Sequence, residues 1–257
     1  MTHVYSDTFF DYIDQSARAS AQSFTQLLYP LLRPESAIDL GCGRGVWLNE
    51  WQRAGARDVL GADGDYVDPD TLDIPREAFL PADLTAPLDI DRRFELAQSL
   101  EVGEHLPAAA AETLVSSLTA ASDRVLFSAA VVGQGGEFHI NEQPLSYWQA
   151  LFAARGYRAF DCVRPYLRDN RRVAPWYRYN TILYVNEAGR AGLPDDILRH
   201  EVPLEHAVQN GGDMMWRLRC SVVSRLPRAT VTQIAKVRAA VLAARARLTS
   251  RSDRASA

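Results

Sequence analysis

The sequence predicts an α/β fold, built on a seven-stranded, mostly parallel sheet that is flanked by helices, with further helices before and after it. Two observations predict this class. Short apolar runs alternate along the chain with segments of helical periodicity, and 257 residues with 47% hydrophobic content are enough to fill one such core. Strands that alternate with helices pair in parallel, and such sheets bind their ligands beyond the carboxyl ends of the strands.

The first half of the chain supplies four of the predicted strands. Apolar residues at helical spacing from Phe9 to Leu32 predict one or two leading helices. The helix after the first strand begins at Gly45 and stops at Gly55, whose missing side chain suits a C-terminal cap. The four strands are predicted over Ala37–Leu40, Asp58–Ala62, Ala78–Pro81 and Phe94–Leu100.

The second half of the chain alternates in the same way up to residue 185. Pro107 opens a helix that runs to Ala121, and an amphipathic helix from Leu145 to Ala154 is closed by Gly156. The remaining three strands are predicted over Arg124–Ala130, Tyr157–Val163 and Tyr177–Val185.

The pattern changes beyond Asn186, where a loop is followed by two helical segments. We therefore predict a main domain over residues 1–189 and a helical C-terminal extension over residues 190–257. The helices are expected near Gly212–Leu226 and Thr230–Leu248, and the second carries an apolar stripe. Such a stripe favours packing on the domain or on a second copy of the chain, as in a homo-oligomer, over a basic nucleic-acid arm.

Composition and charge narrow the choice of partners. A net charge of −4 and a pI near 5.8 argue against nucleic-acid binding through bulk electrostatics, so the expected partner is a small molecule. No apolar run approaches the length of a membrane span and the first residues lack the order of a signal peptide, so no membrane partner is expected. The three cysteines are far apart and suggest no disulfide framework, which fits a cytoplasmic location.

The most specific motif is the run Asp39-Leu40-Gly41-Cys42-Gly43-Arg44-Gly45, in which alternating glycines join a strand to a helix. Alternating glycines let the backbone turn tightly and approach a ligand where a Cβ would collide. A dinucleotide fingerprint needs a glycine at the sixth position, which here is Val46, and no P-loop lysine follows. Both of these phosphate-binding motifs are therefore excluded.

The spacing D-x-G-x-G-x-G after a strand resembles motif I of the class I S-adenosylmethionine (SAM)-dependent methyltransferases. The resemblance implies a Rossmann-like sheet and the cofactor SAM, with S-adenosylhomocysteine (SAH) as the product. In that family the glycines approach the amino-acid end of SAM, and the acid lies close by. The residues that match this motif are Asp39, Gly41, Cys42, Gly43 and Gly45.

Two further acids follow strands at the same edge of the predicted sheet. Asp63 ends the second strand and can accept two hydrogen bonds from ribose hydroxyls, although Asp65 is a rival two residues on. Asp83 follows the third strand and resembles the family acid that reaches the adenine amino group. Aspartate also forms turns and begins loops, so a structural role stays open for each acid. The residues assigned to the cofactor here are Asp63, Gly64, Asp83 and Leu84.

The fourth strand runs into a segment rich in acids, where Leu100 and Glu101 complete the expected SAM-binding residues. The motif E-x-x-E-H, formed by Glu101, Glu104 and His105, recurs after this strand in the family and faces the methyl-donor pocket. Carboxylate oxygens and an imidazole within one turn can bind a divalent ion or serve as a base with an orienting acid.

A later histidine, His139, joins this set on a glycine-rich loop after the fifth strand. The combination resembles the magnesium site of small-RNA 2′-O-methyltransferases and of some ubiquinone-pathway O-methyltransferases. A metal would orient the acceptor hydroxyl and lower its pKa. Three interpretations stay open: a Mg²⁺ site, a metal-free base at His105 or His139, and a structural role for the histidines. The Mg²⁺ site would consist of Glu101, Glu104, His105 and His139, and the catalytic candidates are His105, His139 and Glu101.

The resemblance extends from about Phe9 to Val185. Within the family, the chain resembles a bacterial branch that is often found with sugar or secondary-metabolite biosynthesis. It implies O-methylation of a hydroxyl on a small-molecule acceptor, such as a sugar moiety or a natural product. N-methylation of an amino sugar or amine is an alternative, and so is a non-catalytic SAM-fold binding module. Besides the motifs above, the residues that carry this resemblance are Tyr147-Trp148, Gly156-Tyr157, Asp161, Arg164-Pro165 and Trp176-Tyr177-Arg178-Tyr179-Asn180.

Overall fold

The computed structural model describes residues 7–227 and 229–237, with side chains from residue 17 onward. The strands are β1 Ser36–Leu40, β2 Asp58–Asp63, β3 Phe79–Pro81, β4 Leu96–Leu100, β5 Arg124–Ser128, β6 Arg158–Phe160 and β7 Ile182–Val185. They form one seven-stranded sheet in the order β3-β2-β1-β4-β5-β7-β6, which confirms the predicted strand number.

Helices surround this sheet and continue beyond it. The α-helices are α1 Asp7–Leu32, α2 Val46–Ala54, α3 Ala111–Ala121, α4 Leu145–Ala153, α5 Arg164–Leu167, α6 Pro175–Asn180, α7 Glu187–Arg190, α8 Asp195–Leu198 and α9 Met214–Val223. Residues 229–237 are also helical, so the helix predicted over Thr230–Leu248 is described to residue 237 and its remainder lies outside the described residues. Within the described ranges, no helix combines the length and the apolar character that a membrane span requires.

The sheet is mostly parallel, as predicted. Parallel pairs join β3, β2, β1, β4 and β5 in turn, and β7 runs antiparallel to both β5 and β6. From β1 the chain first moves outward to β2 and β3, and β4 then returns to the other side of β1. Such a reversal leaves a crevice at the carboxyl ends of β1 and β4, and the glycine turn follows β1 at this point.

Both faces of the sheet are covered, which explains why its central strands are so apolar. All five residues of β4 and four of the five residues of β1 are buried. Phe24 of α1 and Leu48 of α2 belong to the core on one face, whereas Leu118 of α3 and Trp148 of α4 belong to the core on the other. The two cores therefore fix the position of the carboxyl edge of the sheet.

The strand predicted over Tyr177–Val185 is wrong in its first half. Residues Pro175–Asn180 form α6, and only Ile182–Val185 pair as β7. The aromatic residues suggested a strand, but Pro175 occupies the first turn of a helix, where its missing N–H costs nothing. Tyr177 is then buried against Trp47, with ring centroids 5.0 Å apart. Tertiary packing therefore overrode the local strand preference.

Candidate functional site

A cavity of about 970 Å³ opens beyond the carboxyl ends of the central strands, where the sequence predicts the ligand. Its wall is formed by the turn after β1, the ends of β2, β3 and β4, the loop after β5 and the start of α6. Gly45 caps the N-terminus of α2, and the other predicted cofactor residues line the cavity. These lining residues are Asp39, Gly41, Cys42, Gly43, Asp63, Gly64, Asp83, Leu84, Leu100 and Glu101.

Two glycines of the turn after β1 serve different purposes. Gly41 has φ +91°, and a Cβ there would lie 2.3 Å from Cγ2 of Val102, so the packing requires a glycine. Gly43 has φ +54°, and a Cβ there would meet no atom of the described residues within 4 Å. Since Gly43 lines the cavity, a side chain at this position would occupy space that is open to a ligand.

Asp39 is buried beside the cavity and is only 2% exposed. Its Oδ2 accepts a hydrogen bond of 2.7 Å from Nε2 of Gln98, and Oε1 of Gln98 accepts one of 2.8 Å from Nε1 of Trp51. Its Oδ1 has no hydrogen-bond partner within the described part of the chain. Burial raises the pKa of Asp39 to about 7, against the opposing effect of the Gln98 hydrogen bond. A buried carboxyl with one unpaired oxygen suits a cationic ligand group.

Asp63, at the end of β2, connects that strand to the glycine turn. Its Oδ2 accepts a hydrogen bond of 2.7 Å from the backbone N–H of Gly43, and its Oδ1 accepts one of 2.7 Å from that of Gly64. The hydroxyl of Tyr66 also donates to Oδ1. Burial raises the pKa of Asp63, although these hydrogen bonds oppose the shift. The rival Asp65 is exposed at the same cavity wall.

Asp83 stabilises a turn and also lines the cavity. Its Oδ1 accepts hydrogen bonds from the backbone N–H and the hydroxyl of Thr85, at 2.9 and 2.7 Å. These bonds lower the pKa of this exposed carboxyl. The aspartate turn that the sequence left open as a structural role is therefore present, and the carboxylate still borders the cavity.

Glu101 is held at the cavity in an unusual backbone conformation, with φ +59° for a non-glycine residue. Its Oε2 accepts a hydrogen bond of 2.6 Å from Nε2 of Gln134, and its Oε1 accepts one of 3.4 Å from Nδ2 of Asn180. Nδ2 of Asn180 also donates to Oε1 of Gln134 at 2.7 Å. Burial raises the pKa of Glu101, and the Gln134 hydrogen bond opposes this shift. Backbone strain of this kind is concentrated at functional sites.

Glu104, His105 and His139 form a cluster in which one ligand atom from each residue lies within 4.8 Å of the others. The backbone carbonyl of Glu104 accepts hydrogen bonds from the N–H groups of Ile140 and Asn141, which brings the His139 loop beside it. Among the described residues, both carboxylate oxygens of Glu104 and Nδ1 of His105 are buried without a hydrogen-bond partner. Glu101 was also predicted in this set, but its carboxylate is held by Gln134 and lies outside the cluster.

Glu142 was missed by sequence reasoning, and it fixes the His139 loop. Its Oε1 lies 2.9 Å from Nδ1 of His139, and its two oxygens accept hydrogen bonds from the N–H groups of Gly133 and Gly135 at 2.8 and 2.6 Å. Burial favours a higher pKa for Glu142, but the bond to His139 and these N–H groups lower it below its usual value. An ionised Glu142 places the proton of His139 on Nδ1 and leaves Nε2 as the acceptor.

The C-terminal helices cover the cavity, although the sequence assigned no chemistry to them. Arg219 lies in this covering segment and donates a hydrogen bond of 2.5 Å from its guanidinium to the backbone carbonyl of Gln134. We call this covering segment the roof. The roof residues that line the cavity are Arg219, Val223, Leu226, Val231, Ile234 and Ala235. The far side of the cavity is therefore largely apolar.

Comparisons with solved structures find the same fold. DesVI of Streptomyces venezuelae is similar with a TM-score of 0.53 at 13% identity, over 72% of this chain and 100% of DesVI. An O-methyltransferase family protein from Burkholderia thailandensis is similar with a TM-score of 0.54 at 12% identity, over 69% of this chain and 58% of that protein. No family model matches the chain, and no curated protein matches it in sequence. These likenesses confirm the predicted Rossmann-like α/β fold.

Proposed function

We propose that this protein transfers the methyl group of SAM to a hydroxyl group of a small-molecule acceptor, such as a sugar moiety or a secondary metabolite. The observation that carries this proposal is one cavity that joins the glycine turn, the acids after β2 and β3, and the Glu104–His105–His139 cluster. A cavity of about 970 Å³ has room for a nucleoside-sized donor beside an acceptor. The fold shared with an O-methyltransferase family protein supports it.

The donor would occupy the part of the cavity that lies beyond the carboxyl ends of β1 and β2. The backbone at Gly43 is open to the amino-acid end of SAM, and the unpaired Oδ1 of Asp39 suits its positive charge. Asp63 and Asp83 border the same space and are the partners we assign to the ribose hydroxyls and the adenine amino group. Since the carboxylate of Asp63 already accepts three hydrogen bonds, ribose binding has to share or replace one of them.

The cluster at the acceptor end fits a divalent cation. Burial, together with the nearby carboxyl of Glu101, raises the pKa of Glu104 well above its usual value. The ionised form of Glu104, whose two oxygens are buried without partners, is therefore costly unless a cation compensates its charge. The imidazoles of His105 and His139 make the donor set one oxygen and two nitrogens, which suits Mn²⁺ or Zn²⁺ at least as well as the expected Mg²⁺. When bound, such an ion would orient the acceptor hydroxyl and lower its pKa.

Without a metal, His139 is the better-placed base of the two histidines. Glu142 accepts the Nδ1 proton of His139, so Nε2 can take the proton of the acceptor. Burial lowers the pKa of His105 to about 3, which makes it a weak base at neutral pH. In the transfer, the acceptor oxygen attacks the sulfonium methyl in line, the O–C bond forms as the C–S bond breaks, and SAH leaves.

Calorimetry with SAH tests this proposal directly. We expect binding by the intact protein, and binding that is at least about tenfold weaker when Gly43→Ala fills the open space at the turn. An intact protein that does not bind SAH would contradict the proposal. Methyl transfer that survives both Glu104→Gln and His139→Asn would favour N-methylation instead, because a free amine needs neither a metal nor a base to attack.

A further inference from the structure

The charges of this chain are unevenly distributed between its body and its C-terminal end. Residues 214–257 contain ten of the 28 lysines and arginines but only one of the 32 acids, Asp253. The first 213 residues therefore combine 18 basic with 31 acidic residues. The net charge of −4 for the whole chain conceals a strongly acidic body and a strongly basic end.

The outward side of α9 exposes large apolar side chains. Met214, Met215, Leu218 and Val222 are 80%, 67%, 56% and 52% exposed. At about 100° of rotation per residue, these four positions lie within an arc of about 100° on the helix. We call this arc the outer face of α9. Trp216 points the other way and is buried, so the helix is fixed to the body by its opposite side.

Exposed cations border the outer face. Arg217 is exposed on α9 beside Leu218. Arg225 is exposed just beyond the end of α9, three residues after Val222. Residues 214–237 contain no aspartate or glutamate at all. Asp213 directly precedes the arc, and its side chain caps α9 by accepting a hydrogen bond from the N–H of Trp216. An apolar arc that is bordered by more cations than anions is the pattern of a helix that lies in the surface of a membrane with negatively charged lipids.

We propose that the outer face of α9 docks this protein on an anionic lipid surface. The apolar side chains would enter the boundary of the acyl chains, and the arginines would attract the lipid headgroups. The inward side of the same helix contributes Arg219 and Val223 to the roof of the cavity. Docking therefore engages the element that closes the cavity, and it does not require a helix that crosses the bilayer.

Co-sedimentation of the full chain with vesicles, without SAM or SAH, tests this proposal independently of methyl transfer. One set of vesicles contains only phosphatidylcholine, and the other contains about 30% phosphatidylglycerol. We expect binding to the anionic vesicles only, and weaker binding as salt rises above about 0.1 M because salt screens the arginines.

Two kinds of variant separate the contribution of the apolar side chains to vesicle binding from that of the arginines. Leu218→Glu should lower the partition coefficient at least about tenfold, because it places a negative charge within the outer face. Arg217→Ala should lower it about fivefold through the lost attraction to the headgroups. The matched control is Leu204→Glu, at a loop position that is 65% exposed, and it should bind vesicles as the parent protein does. All three positions are exposed, and circular dichroism checks that the variants stay folded.

Three results would overturn the proposal. The first is the absence of binding to anionic vesicles, or equal binding to both vesicle types. The second is an equal loss of binding for Leu218→Glu and Leu204→Glu. The third is a concentration-dependent dimer, measured by light scattering, that Leu218→Glu dissociates, because a second copy of the chain would then cover the outer face.

Discussion

Gly41 and Gly43 lie two residues apart, but only Gly43 has open space where a side chain would begin. Gly43→Ala should destabilise the protein by about 1–2 kcal/mol, the cost of a left-handed backbone for an L-residue. It should also weaken SAH binding at least about tenfold, because the methyl group takes up ligand space at a site of close backbone approach. Calorimetry with SAH and thermal unfolding measure the two effects.

Gly41→Ala is the matched comparison. Its methyl group would lie 2.3 Å from Val102, so the loss of stability should exceed that of Gly43→Ala. SAH affinity that is unchanged in Gly43→Ala would show that the ligand does not approach the turn at this position.

The buried carboxyl of Asp39 should make the stability of the ligand-free protein depend on pH. Burial raises its pKa from 3.8 to about 7, so the folded protein keeps a proton that the unfolded chain releases. The stability contributed by this proton is complete below pH 3.8 and is lost as pH rises through about 7. Asp39→Asn removes this titration. Its free energy of unfolding should therefore fall by about 3 kcal/mol less than that of the parent protein between pH 5 and pH 8, since about two pK units of the shift lie in this range.

Urea unfolding at both pH values measures this difference. Asp65→Asn is the control, because it removes an exposed carboxylate from the same cavity wall, and it should keep the pH dependence of the parent protein. Equal pH dependence in the parent and in Asp39→Asn would mean that Asp39 is not protonated in the folded state.

At the residue scale, the sequence predicted the charged groups of the site better than their partners. Asp39 was predicted from the glycine motif, and Asp63 and Glu101 were predicted because they stand at the ends of strands at the binding edge; all three line the cavity. Gln98 and Gln134 were missed, although they bind Asp39 and Glu101 directly. Gln98 meets Asp39 through the register of β4 against β1, and an isolated glutamine carries no signal of such a contact.

At the scale of elements, the loop between β5 and α4 determines where His139 lies. Glu142 ties this loop together through His139, Gly133 and Gly135. Glu142→Gln removes the charge that orients His139, so it should weaken Mn²⁺ binding by about 10–100-fold. SAH affinity should change little, because Glu142 does not line the cavity. Titration of the protein with Mn²⁺, followed by the paramagnetic signal of the free ion, measures the effect.

Glu137→Gln is the control for this loop, because Glu137 lines the cavity on the same segment but is not a member of the cluster. It should bind Mn²⁺ as the parent protein does. If Glu104→Gln also binds Mn²⁺ normally, the cluster is not a metal site, and the metal-free base at His139 becomes the preferred mechanism.

Among the helices and strands, those in the first part of the chain were predicted more accurately than those in the later part. Between Asp7 and Leu100 every predicted element is present with small shifts at its ends, because strand and helix periods alternate clearly and glycines mark the turns. The stretch around Tyr177 was wrong, because its burial depends on Trp47, which lies far away in the sequence. The role of α9 in covering the cavity could not be predicted either, since it depends on how the chain returns over the sheet edge.

At the scale of the whole molecule, the cavity lies between the carboxyl edge of the sheet and the roof. A ligand bound in the cavity would contact both, so it should stabilise the folded chain against global unfolding. A ligand present at about 100 times its dissociation constant adds about 2.7 kcal/mol to the free energy of unfolding. For a chain of this size that corresponds to a rise of about 5–10 °C in melting temperature on adding SAH.

Leu218→Glu should show the same rise with SAH, because its side chain lies on the outer face of α9 and does not line the cavity. Gly43→Ala should show at most about half of this rise at the same SAH concentration, since a tenfold loss of affinity lowers the stabilisation to about 1.4 kcal/mol. Scanning calorimetry of the three proteins measures these shifts. A parent protein that melts at the same temperature with and without SAH would contradict donor binding, whereas loss of the shift in Leu218→Glu alone would mean that the two sides of α9 are not independent.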